Sequence, residues 1–175
     1  LDNILVNVDT SVYAKAYIKK KSIKDNARFH RKQKVLLSLD IKNFFDSISS
    51  DKIFDLFWNL GYKEDVVVML TNLCCLNGSL PQGAPTSPML SNIVLEDFDN
   101  EIGLYTMEQK IRYTRYADDM TFSGDFHAGK IISKVKRQLN DLGLKLNDEK
   151  TRTRGRGQRQ EVTGIVVNEK MQLPR

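Results

Sequence analysis

The sequence contains little cysteine, little histidine and no long apolar stretch. Its 175 residues include two cysteines and two histidines. Cys74 and Cys75 are adjacent, so geometry disfavours an ordinary disulfide between them, and neither histidine stands at zinc-ligand spacing from them. No apolar run approaches the ~20 residues of a membrane span. We therefore predict a cytoplasmic protein with neither a disulfide framework nor a Cys/His metal site, and with no membrane-spanning segment.

We also predict no secretory signal, because the N-terminal residues lack the apolar region of a signal peptide, and the chain begins at Leu1 rather than at Met. The length suits one domain with its own core, or most of one. Hydrophobic residues make up 41% and charged residues 28%, as in ordinary globular proteins. These features predict a globular fragment or a processed piece of a longer protein.

Acidic residues are scarce in two parts of the chain. The net charge is +5, but residues 15–34 hold nine Lys or Arg beside the single acid Asp25, and residues 150–159 hold five and no acid. Such runs are either solvated faces or, when they flank an acidic cluster, a track for a polyanion. The residues that we select as nucleic-acid contacts are Lys19, Lys20, Lys21, Arg28, Arg152, Arg154 and Arg156.

Two adjacent acids interrupt the alternating segment Ile111–Gly124. The alternation predicts a β-hairpin whose turn contains Ala117, Asp118 and Asp119. Two carboxylates at a hairpin tip repel each other, so they either stay solvated or share a divalent cation such as Mg²⁺. The dipeptide alone favours the solvated turn.

A third acid changes that balance. Val35–Leu37 reads as a buried strand that ends at Asp40, and a carboxylate buried there requires a charged partner. If this strand lies beside the hairpin, three carboxylates meet. Such a cluster holds two Mg²⁺ ions ~3.5–4 Å apart in enzymes of phosphoryl and nucleotidyl transfer.

Five ordered motifs resemble those of one enzyme family. SLDIKNFFDSIS, LPQGAPTSPMLSN and RYADD resemble palm motifs A, B and C of reverse transcriptases. Asn26–His30 resembles the NAxxH signature, and Val162–Gly164 the VTG signature, of bacterial retron reverse transcriptases. The set spans residues 26–164, and its order makes it specific. It implies an α+β palm, with a ferredoxin-like split βαβ unit, an antiparallel sheet against helices, and partial helical fingers.

The resemblance also implies a division of the chain. Residues 1–33 are predicted to be partial, mainly helical fingers, residues 34–160 the palm, and residues 161–175 the start of a primer-grip hairpin. A basic fingers hairpin and a helical thumb have no counterpart in these residues. Within the fingers, Ser22 is predicted to cap a helix over Ile23–Arg31. The side chains predicted to face inward there are Val12, Ala16 and Ile23.

One long helix is predicted from the end of motif B. Ser87 would cap it, Pro88 would open it, and its apolar side chains recur as far as Tyr105. Its acids are predicted to lie mainly on the solvated side and to carry no chemistry; they are Glu96, Asp97, Asp99 and Glu101.

The resemblance assigns roles to the motif residues. Asp40, Asp118 and Asp119, with the carbonyl of Ile41, would hold two Mg²⁺ ions. Phe45 would be the aromatic gate that excludes a ribose 2′-OH, whereas its neighbour Phe44 reads as core.

Four further residues receive roles by resemblance. Gln82 would contact the incoming nucleotide or the template base, and Gly83 would allow the close approach. Lys150 would protonate the departing pyrophosphate or contact a phosphate. His30 would recognise RNA or structure, whereas the residue alone reads as a capped or hydrogen-bonded surface histidine.

The implied activity is RNA-directed DNA synthesis of the retron type. Its partners would be a structured non-coding RNA as template and primer, an RNA/DNA hybrid, deoxynucleoside triphosphates and an unidentified effector protein. Priming from an RNA 2′-OH and a role in antiviral defence are implied too. Without complete fingers and a thumb, we expect this piece to bind Mg²⁺ and nucleic acid but to polymerise poorly. The alternatives are another bacterial or group II intron reverse transcriptase, an RNA-dependent RNA polymerase, and a non-catalytic RNA-binding module.

Overall fold

The computed structural model describes Leu5, residues 8–19 and residues 21–172. The helices of this part of the chain are α1 (Ile23–Phe29), α2 (Phe44–Ser47), α3 (Ser50–Asn59), α4 (Glu64–Cys74), α5 (Ser87–Val94), α6 (Glu96–Glu108) and α7 (Ala128–Asp141). The strands are β1 (Val35–Asp40), β2 (Arg112–Tyr116), β3 (Asp119–Gly124), β4 (Arg152–Gly155), β5 (Glu161–Val162) and β6 (Ile165–Val166). A 3₁₀ turn covers Asp148–Lys150.

The chain forms two compact units. The helical unit comprises Leu1–Ser11 and Asn43–Asp97, and the sheet unit comprises Val12–Lys42 and Phe98–Arg175. The predicted boundaries after residues 33 and 160 follow motifs rather than packing, and they stay a prediction.

A four-stranded antiparallel sheet organises the sheet unit, in the order β2-β3-β1-β4. Strand β3 pairs with β2 through the predicted hairpin and with β1 on its other side. Strands β5 and β6 form a separate small hairpin. An antiparallel sheet with helices between its strands confirms the predicted α+β class.

The two faces of the sheet differ in character. Cross-strand partners have their side chains on the same face. One face, which we call the cleft face, carries Asp40, Ser38 and Thr121. The other, the helix face, carries Phe122 and Tyr113 and packs against α6. Its fully buried apolar side chains include Leu37, Leu39, Met120 and Phe122.

The N-terminal part of the sheet unit is not the predicted helix. Residues 12–19, 21 and 22 contain no helix, because residues 13–15 pair with the outer edge of β2. The N–H of Lys15 donates to the carbonyl of Arg115 (2.7 Å), and the N–H of Arg115 donates to the carbonyl of Tyr13 (2.9 Å). Backbone groups used in this way cannot close helical turns, and the pairing protects a sheet edge.

The predicted inward side chains of this region are only partly right. Ala16 is buried, but Val12 is 74% exposed and Ile23 is 42% exposed, because the helical periodicity on which they were chosen is absent or shifted. Helix α1 does begin after Ser22, whose side chain forms a reciprocal capping box with Asp25. The helix ends at Phe29, two residues earlier than predicted.

The long helix predicted from Ser87 is two helices. The backbone leaves helical geometry at Leu95 (φ −98°, ψ 9°), between α5 and α6. Thr86 rather than Ser87 occupies the N-cap position. Ser87 lies in the first turn, where its hydroxyl donates to the carbonyl of Pro81 (2.7 Å).

The helical unit holds the remaining motif residues. Phe44 is buried and its neighbour Phe45 is half-buried, with ring centroids 5.1 Å apart. Gln82 and Gly83 are exposed in the loop before α5, and Gly83 has φ +90°, which favours glycine.

Candidate active site

The sheet brings the three predicted acids to one end of the sheet unit. Asp40, the last residue of β1, is the direct cross-strand partner of Asp119, the first residue of β3. Asp118 precedes Asp119 in the turn, and its carbonyl accepts from the N–H of Ile41 (3.1 Å). The register of two strand pairs therefore sets the arrangement of the cluster.

The hairpin turn is tighter than predicted. Tyr116 pairs with Asp119, so the loop contains only Ala117 and Asp118, and Asp119 belongs to the strand. Ala117 has φ +57°, a left-handed conformation that costs an L-residue about 1 kcal/mol. The Nη1 of Arg115 donates to the carbonyl of Ala117 (2.9 Å) and supports the turn.

Arg115 belongs to a buried ionic cluster on the helix face. Its Nε donates to the Oδ1 (2.9 Å) and Oδ2 (3.0 Å) of Asp99, and its Nη2 donates to Oδ2 (2.6 Å). The hydroxyl of Tyr113 also donates to Asp99 Oδ1 (2.6 Å). Both charged side chains are 0% exposed. We call Asp99, Tyr113 and Arg115 the Asp99 cluster.

The position of Asp99 corrects the prediction that it is solvated. Asp99 lies on the buried side of α6 with Phe98 and Ile102, and its charge is compensated there by a guanidinium that hydrogen-bonds both carboxylate oxygens. The sequence does contain one indication of this pair. Arg115 is two positions after the inward-facing Tyr113 on the same strand, so its side chain is also expected to face inward, where an arginine requires a buried acid.

A second polar cluster holds the hairpin from the cleft face. His30 lies just after α1, and its Nδ1 and Nε2 lie 2.7 Å and 2.8 Å from the hydroxyl oxygens of Ser123 and Thr114. Thr114 donates its proton to the Oδ1 of Asn26 (2.6 Å). Thr114 therefore accepts from Nε2–H, and Nδ1 accepts from Ser123. We call these four residues the His30 cluster.

His30 cannot contact nucleic acid from this position, so that prediction is wrong. Its side chain is 0% exposed, and burial lowers its pKa to about 3. The ring is therefore neutral. Asn26 and His30, the defining residues of the NAxxH signature, fasten α1 to the two strands of the acidic hairpin.

The VTG signature packs against the same helix. Val162 and Ile165 share a small hydrophobic core with Ala27 of α1 and Leu36 of β1. Thr163 (φ 46°) and Gly164 (φ 77°) form the turn between β5 and β6, a two-residue connection with positive φ at both positions. Later in the predicted primer-grip segment, Gln172 bridges to Val166, and residues 173–175 lie outside the described residues.

Asp40 is already engaged by two polar side chains. It is 4% exposed, its Oδ2 accepts from Lys150 Nζ (2.8 Å), and its Oδ1 accepts from Asn147 Nδ2 (3.1 Å). Asn147 was not predicted as a site residue. It also fixes the local backbone, because its N–H donates to the Asp40 carbonyl (2.8 Å).

The cluster carries more negative charge than these partners neutralise. Desolvation, followed by the charges of Asp118 and Asp40, raises the pKa of Asp119 to about 6. Desolvation and the charge of Asp40 also raise the pKa of Asp118. The hydrogen bond and charge of Asp40 raise the pKa of Lys150. Three carboxylates against one ammonium leave a deficit of positive charge.

That deficit fits a divalent cation. Carboxylates are the hard oxygen donors that Mg²⁺ prefers. As the side chains stand, no three acidic, histidine or cysteine residues within the described residues converge on one ion position. Asp40 faces Lys150 and Asn147 instead, so the ammonium occupies one carboxylate oxygen that a metal would use.

A cleft of about 460 Å³ opens beside Asp119 on the cleft face. Its floor includes Ser38 and Thr121, and the turn between β5 and β6 forms part of its wall. The basic side chains that line it are Arg152, Arg154 and Arg159. Two of these were predicted contacts. Arg159 was passed over although it belongs to the same basic run, and it pairs with Glu161 (2.7 Å).

The other predicted contacts do not line this cleft. Arg156 is exposed outside it, as are Lys19, Lys21 and Arg28. Lys20 lies outside the described residues. The structure does not test whether these residues contact nucleic acid, so their contacts stay predictions.

Tyr17 is a neighbour of the site that the sequence did not indicate. Burial raises the pKa of its hydroxyl, and the negative charge of Asp118 raises it further. The phenol therefore lies within electrostatic reach of the hairpin tip. Tyr17 has φ +62°, in the edge segment that was predicted to be helical.

No helix in the described part of the chain has the length and apolar character needed to cross a bilayer.

Comparisons with known proteins agree with the motif order. A sequence profile described as "Reverse transcriptase (RNA-dependent DNA polymerase)" matches residues 2–165. The chain is 35% identical over 173 residues to the retron Ec86 reverse transcriptase of Escherichia coli, which covers 97% of this chain and 53% of that protein. It is 33% identical over 192 residues to the retron Mx65 reverse transcriptase of Myxococcus xanthus, with coverages of 98% and 45%. The chain thus spans about half the length of these relatives.

Solved structures share the fold at low identity. Telomerase from Candida albicans in complex with a fragment of telomeric RNA matches with a TM-score of 0.67 at 10% identity, over 98% of this chain and 37% of that one. Apo telomerase from Candida tropicalis matches with a TM-score of 0.62 at 12% identity, over 87% and 37%. These matches show a common fold.

Proposed function

Because this chain belongs to the reverse transcriptase family and is of the retron type, we propose that it forms the palm region of an RNA-directed DNA polymerase that copies a structured non-coding RNA. The observation that carries the proposal is the strand register that sets Asp40 opposite Asp119, with Asp118 adjacent, at the mouth of an arginine-lined cleft. A phosphate-rich duplex in the cleft would end at these acids.

Asp40, Asp118 and Asp119, with the Ile41 carbonyl, would hold two Mg²⁺ ions. When bound, such ions lower the pKa of a primer hydroxyl and neutralise the charge of the triphosphate and the leaving pyrophosphate. The contribution of the chain is to position the acids, since the two strand pairs and the two polar clusters fix the hairpin before any ligand arrives.

The proposed role of Lys150 depends on its ion pair with Asp40. In the structure its ammonium neutralises Asp40, and the raised pKa keeps that ammonium protonated. A lysine held in this way is a poor acid. If a metal took the Asp40 oxygen that Lys150 now holds, we propose that the freed ammonium would contact a phosphate or donate its proton to the pyrophosphate.

The helical unit would recognise the nucleotide. Phe45, which is half-buried beside the buried Phe44, has an aromatic surface to offer to the sugar and leaves no hydrogen-bond partner for a 2′-OH. The exposed Gln82, beside Gly83 with its positive φ, would contact the incoming nucleotide or the template base.

The test is a primer-extension assay with the variant Asp118→Asn/Asp119→Asn. Residues 1–175 replace the matching segment of the E. coli Ec86 relative, so that the assay contains a full-length polymerase. We expect extension to fall by roughly 10³-fold or more, because the metal-binding charge is lost, while affinity for an RNA/DNA hybrid is retained. The matched control is Asp97→Asn/Asp141→Asn, which removes two exposed acids outside the cluster.

Normal extension by the double variant would show that the acidic cluster is not the catalytic site. If the unsubstituted chimera bound RNA but never extended a primer, the non-catalytic binding module would be the better assignment.

A further inference from the structure

A basic groove lies on the helix side of the sheet unit, between α6 and α7. It is open to solvent, with a volume of about 840 Å³. The side chains of this groove, which we call the back groove, are Tyr105, His127, Lys130, Ser133, Lys134 and Arg137. No acidic residue lines it, in a chain where 22 of 175 residues are acidic.

Helical spacing sets the cations of the groove on one face of α7. Lys130, Lys134 and Arg137 stand at positions i, i+4 and i+7, which share a face of a helix. The opposite face is buried through Ile131, Val135 and Leu139. The groove is therefore the solvent face of an amphipathic helix that is fixed to the rest of the unit.

The three cations have no acidic partners among the described residues, whereas Lys136 on the same helix pairs with Asp148 at 2.8 Å. The ammonium of Lys134 lies 5.3 Å from the ring centroid of Tyr105, a cation–π contact that ties it to the wall of the groove. Like charges three or four residues apart destabilise a helix by a few tenths of a kcal/mol. An anion bound between them would remove that repulsion.

The start of α7 adds hydrogen-bond donors at one end of the groove. His127 occupies the N-cap position without a side-chain cap bond, and the first turn contains no acid. The first backbone N–H groups of a helix have no intrahelical acceptor and favour anions. From His127 to Arg137 the groove extends for about 15 Å along the helix axis.

The back groove is separate from the cleft beside Asp119. The cleft opens on the face of Ser38 and Thr121. Helix α6 packs on the opposite face, where Asp99 bonds Tyr113 and Arg115. A duplex that occupies the cleft does not reach the back groove, because the sheet lies between them.

We propose that the back groove binds the phosphate backbone of a folded RNA, in a part of that RNA outside the template–primer duplex. Closely spaced cations, a hydroxyl and the N-terminal end of a helix match a row of phosphates. A protein partner would need a buried apolar anchor, and the groove offers only Tyr105, whose ring Lys134 overlies. The proposal rests on the proposed function for the presence of an RNA partner.

The experiment measures affinity as a function of salt for two probes. One is a hairpin RNA with a long stem and a single-stranded tail, and the other is a short blunt RNA/DNA hybrid. The variant is Lys130→Gln/Lys134→Gln/Arg137→Gln in the full chain. We expect it to bind the hairpin at least tenfold more weakly at physiological salt, and to lower the log–log salt slope by about 2–3 because three phosphate contacts are lost.

The matched control removes three exposed lysines elsewhere, as Lys63→Gln/Lys110→Gln/Lys170→Gln. Affinity for the short hybrid should be the same in both variants and in the unsubstituted chain, and thermal unfolding should confirm that each is folded. Equal losses of hairpin affinity in both variants would reduce the effect to net charge and overturn the proposal, as would an unchanged slope.

Two further outcomes would also overturn the proposal. If the triple variant lost affinity for the short hybrid as much as for the hairpin RNA, the back groove would belong to the same binding surface as the cleft. If poly-glutamate bound as tightly as RNA, and the triple variant weakened that binding, the partner would be an acidic protein. The two proposals can also fail separately. If the triple variant lowers the salt slope of RNA binding but the Ec86 chimera never extends a primer, the back groove still binds RNA and only the polymerase proposal fails.

Discussion

At the scale of single residues, the least expected feature is the buried pair of Asp99 and Arg115. Neither side chain contacts solvent, and Arg115 also bonds the Ala117 carbonyl in the acidic turn. Burying two charges is costly, and their mutual attraction compensates only when the geometry is good. Here the guanidinium bonds both carboxylate oxygens, so the residue that neutralises Asp99 also supports the backbone before Asp118.

Asp99→Asn should destabilise the chain severely. It leaves the Arg115 guanidinium buried without a counter-charge, and breaking a buried pair in this way costs about 3–5 kcal/mol. The free energy of unfolding in urea measures the change.

Asp97→Asn is the matched control, because Asp97 is an exposed acid two positions earlier on the same helix. If the two variants unfolded at the same urea concentration, the Asp99 cluster would have no role in stability.

At this scale the sequence pattern predicts some residues of the site and not others, for physical reasons. Asp40 and Asp118 were predictable because each follows a strand pattern that ends in a charge. Asp99 was not, since an acid on an amphipathic helix looks solvated until its partner is known. His30 was mistaken for a surface residue because one helical turn does not reveal which of its sides meets a sheet.

At the scale of elements, α1 joins the parts that the two retron signatures mark. Asn26 of α1 and His30, which directly follows the helix, bond the acidic hairpin, and Ala27 of α1 packs against Val162 of the VTG segment. The NAxxH signature is thus a structural junction between the hairpin and the wall of the cleft. The β-hairpin was predictable because apolar and polar residues alternate along it. The edge segment at residues 13–15 was not, because it pairs with residues of β2 that lie about 100 positions later in the sequence.

His30 should make stability depend on pH. The folded pKa of about 3 lies below the ordinary value of 6.5, so the unfolded state binds more protons between these values. The contribution is fully present above pH 6.5 and is lost as the pH falls toward 3, by about 2 kcal/mol at pH 5. Unfolding free energies measured at pH 7 and pH 5 test this.

His30→Gln removes the titrating group and should flatten that pH dependence, although it also lowers stability at pH 7. The exposed His127 supplies the control, because His127→Gln should leave the dependence on pH intact. An unaltered loss of stability at pH 5 in His30→Gln would mean that other groups cause it.

At the scale of the whole molecule, the chain corresponds to about half of its curated relatives. The fold class and the family followed from the order of five motifs, because order over most of a chain is rarely accidental. The division into a sheet unit and a helical unit did not follow, since the helical unit combines residues that lie on either side of β1 in sequence.

Alone, residues 1–175 should bind an RNA/DNA hybrid but extend a primer poorly. The cleft offers basic side chains on the sheet unit, but the resemblance predicts that a complete fingers hairpin and a thumb are needed to enclose the substrates. Comparing the isolated chain with the Ec86 chimera in one extension assay tests this. Equal rates for the two would contradict it.

The β2–β3 hairpin that carries Asp118 and Asp119 is hydrogen-bonded on both faces, by the Asp99 cluster on the helix face and by the His30 cluster on the cleft face. A β-ribbon anchored in this way cannot rock or slide without breaking buried hydrogen bonds. In the polymerase that we propose, this hairpin would keep its position from one nucleotide addition to the next. The stepping of the nucleic acid, and any opening and closing that accompanies each added base, would then fall to the segments around it.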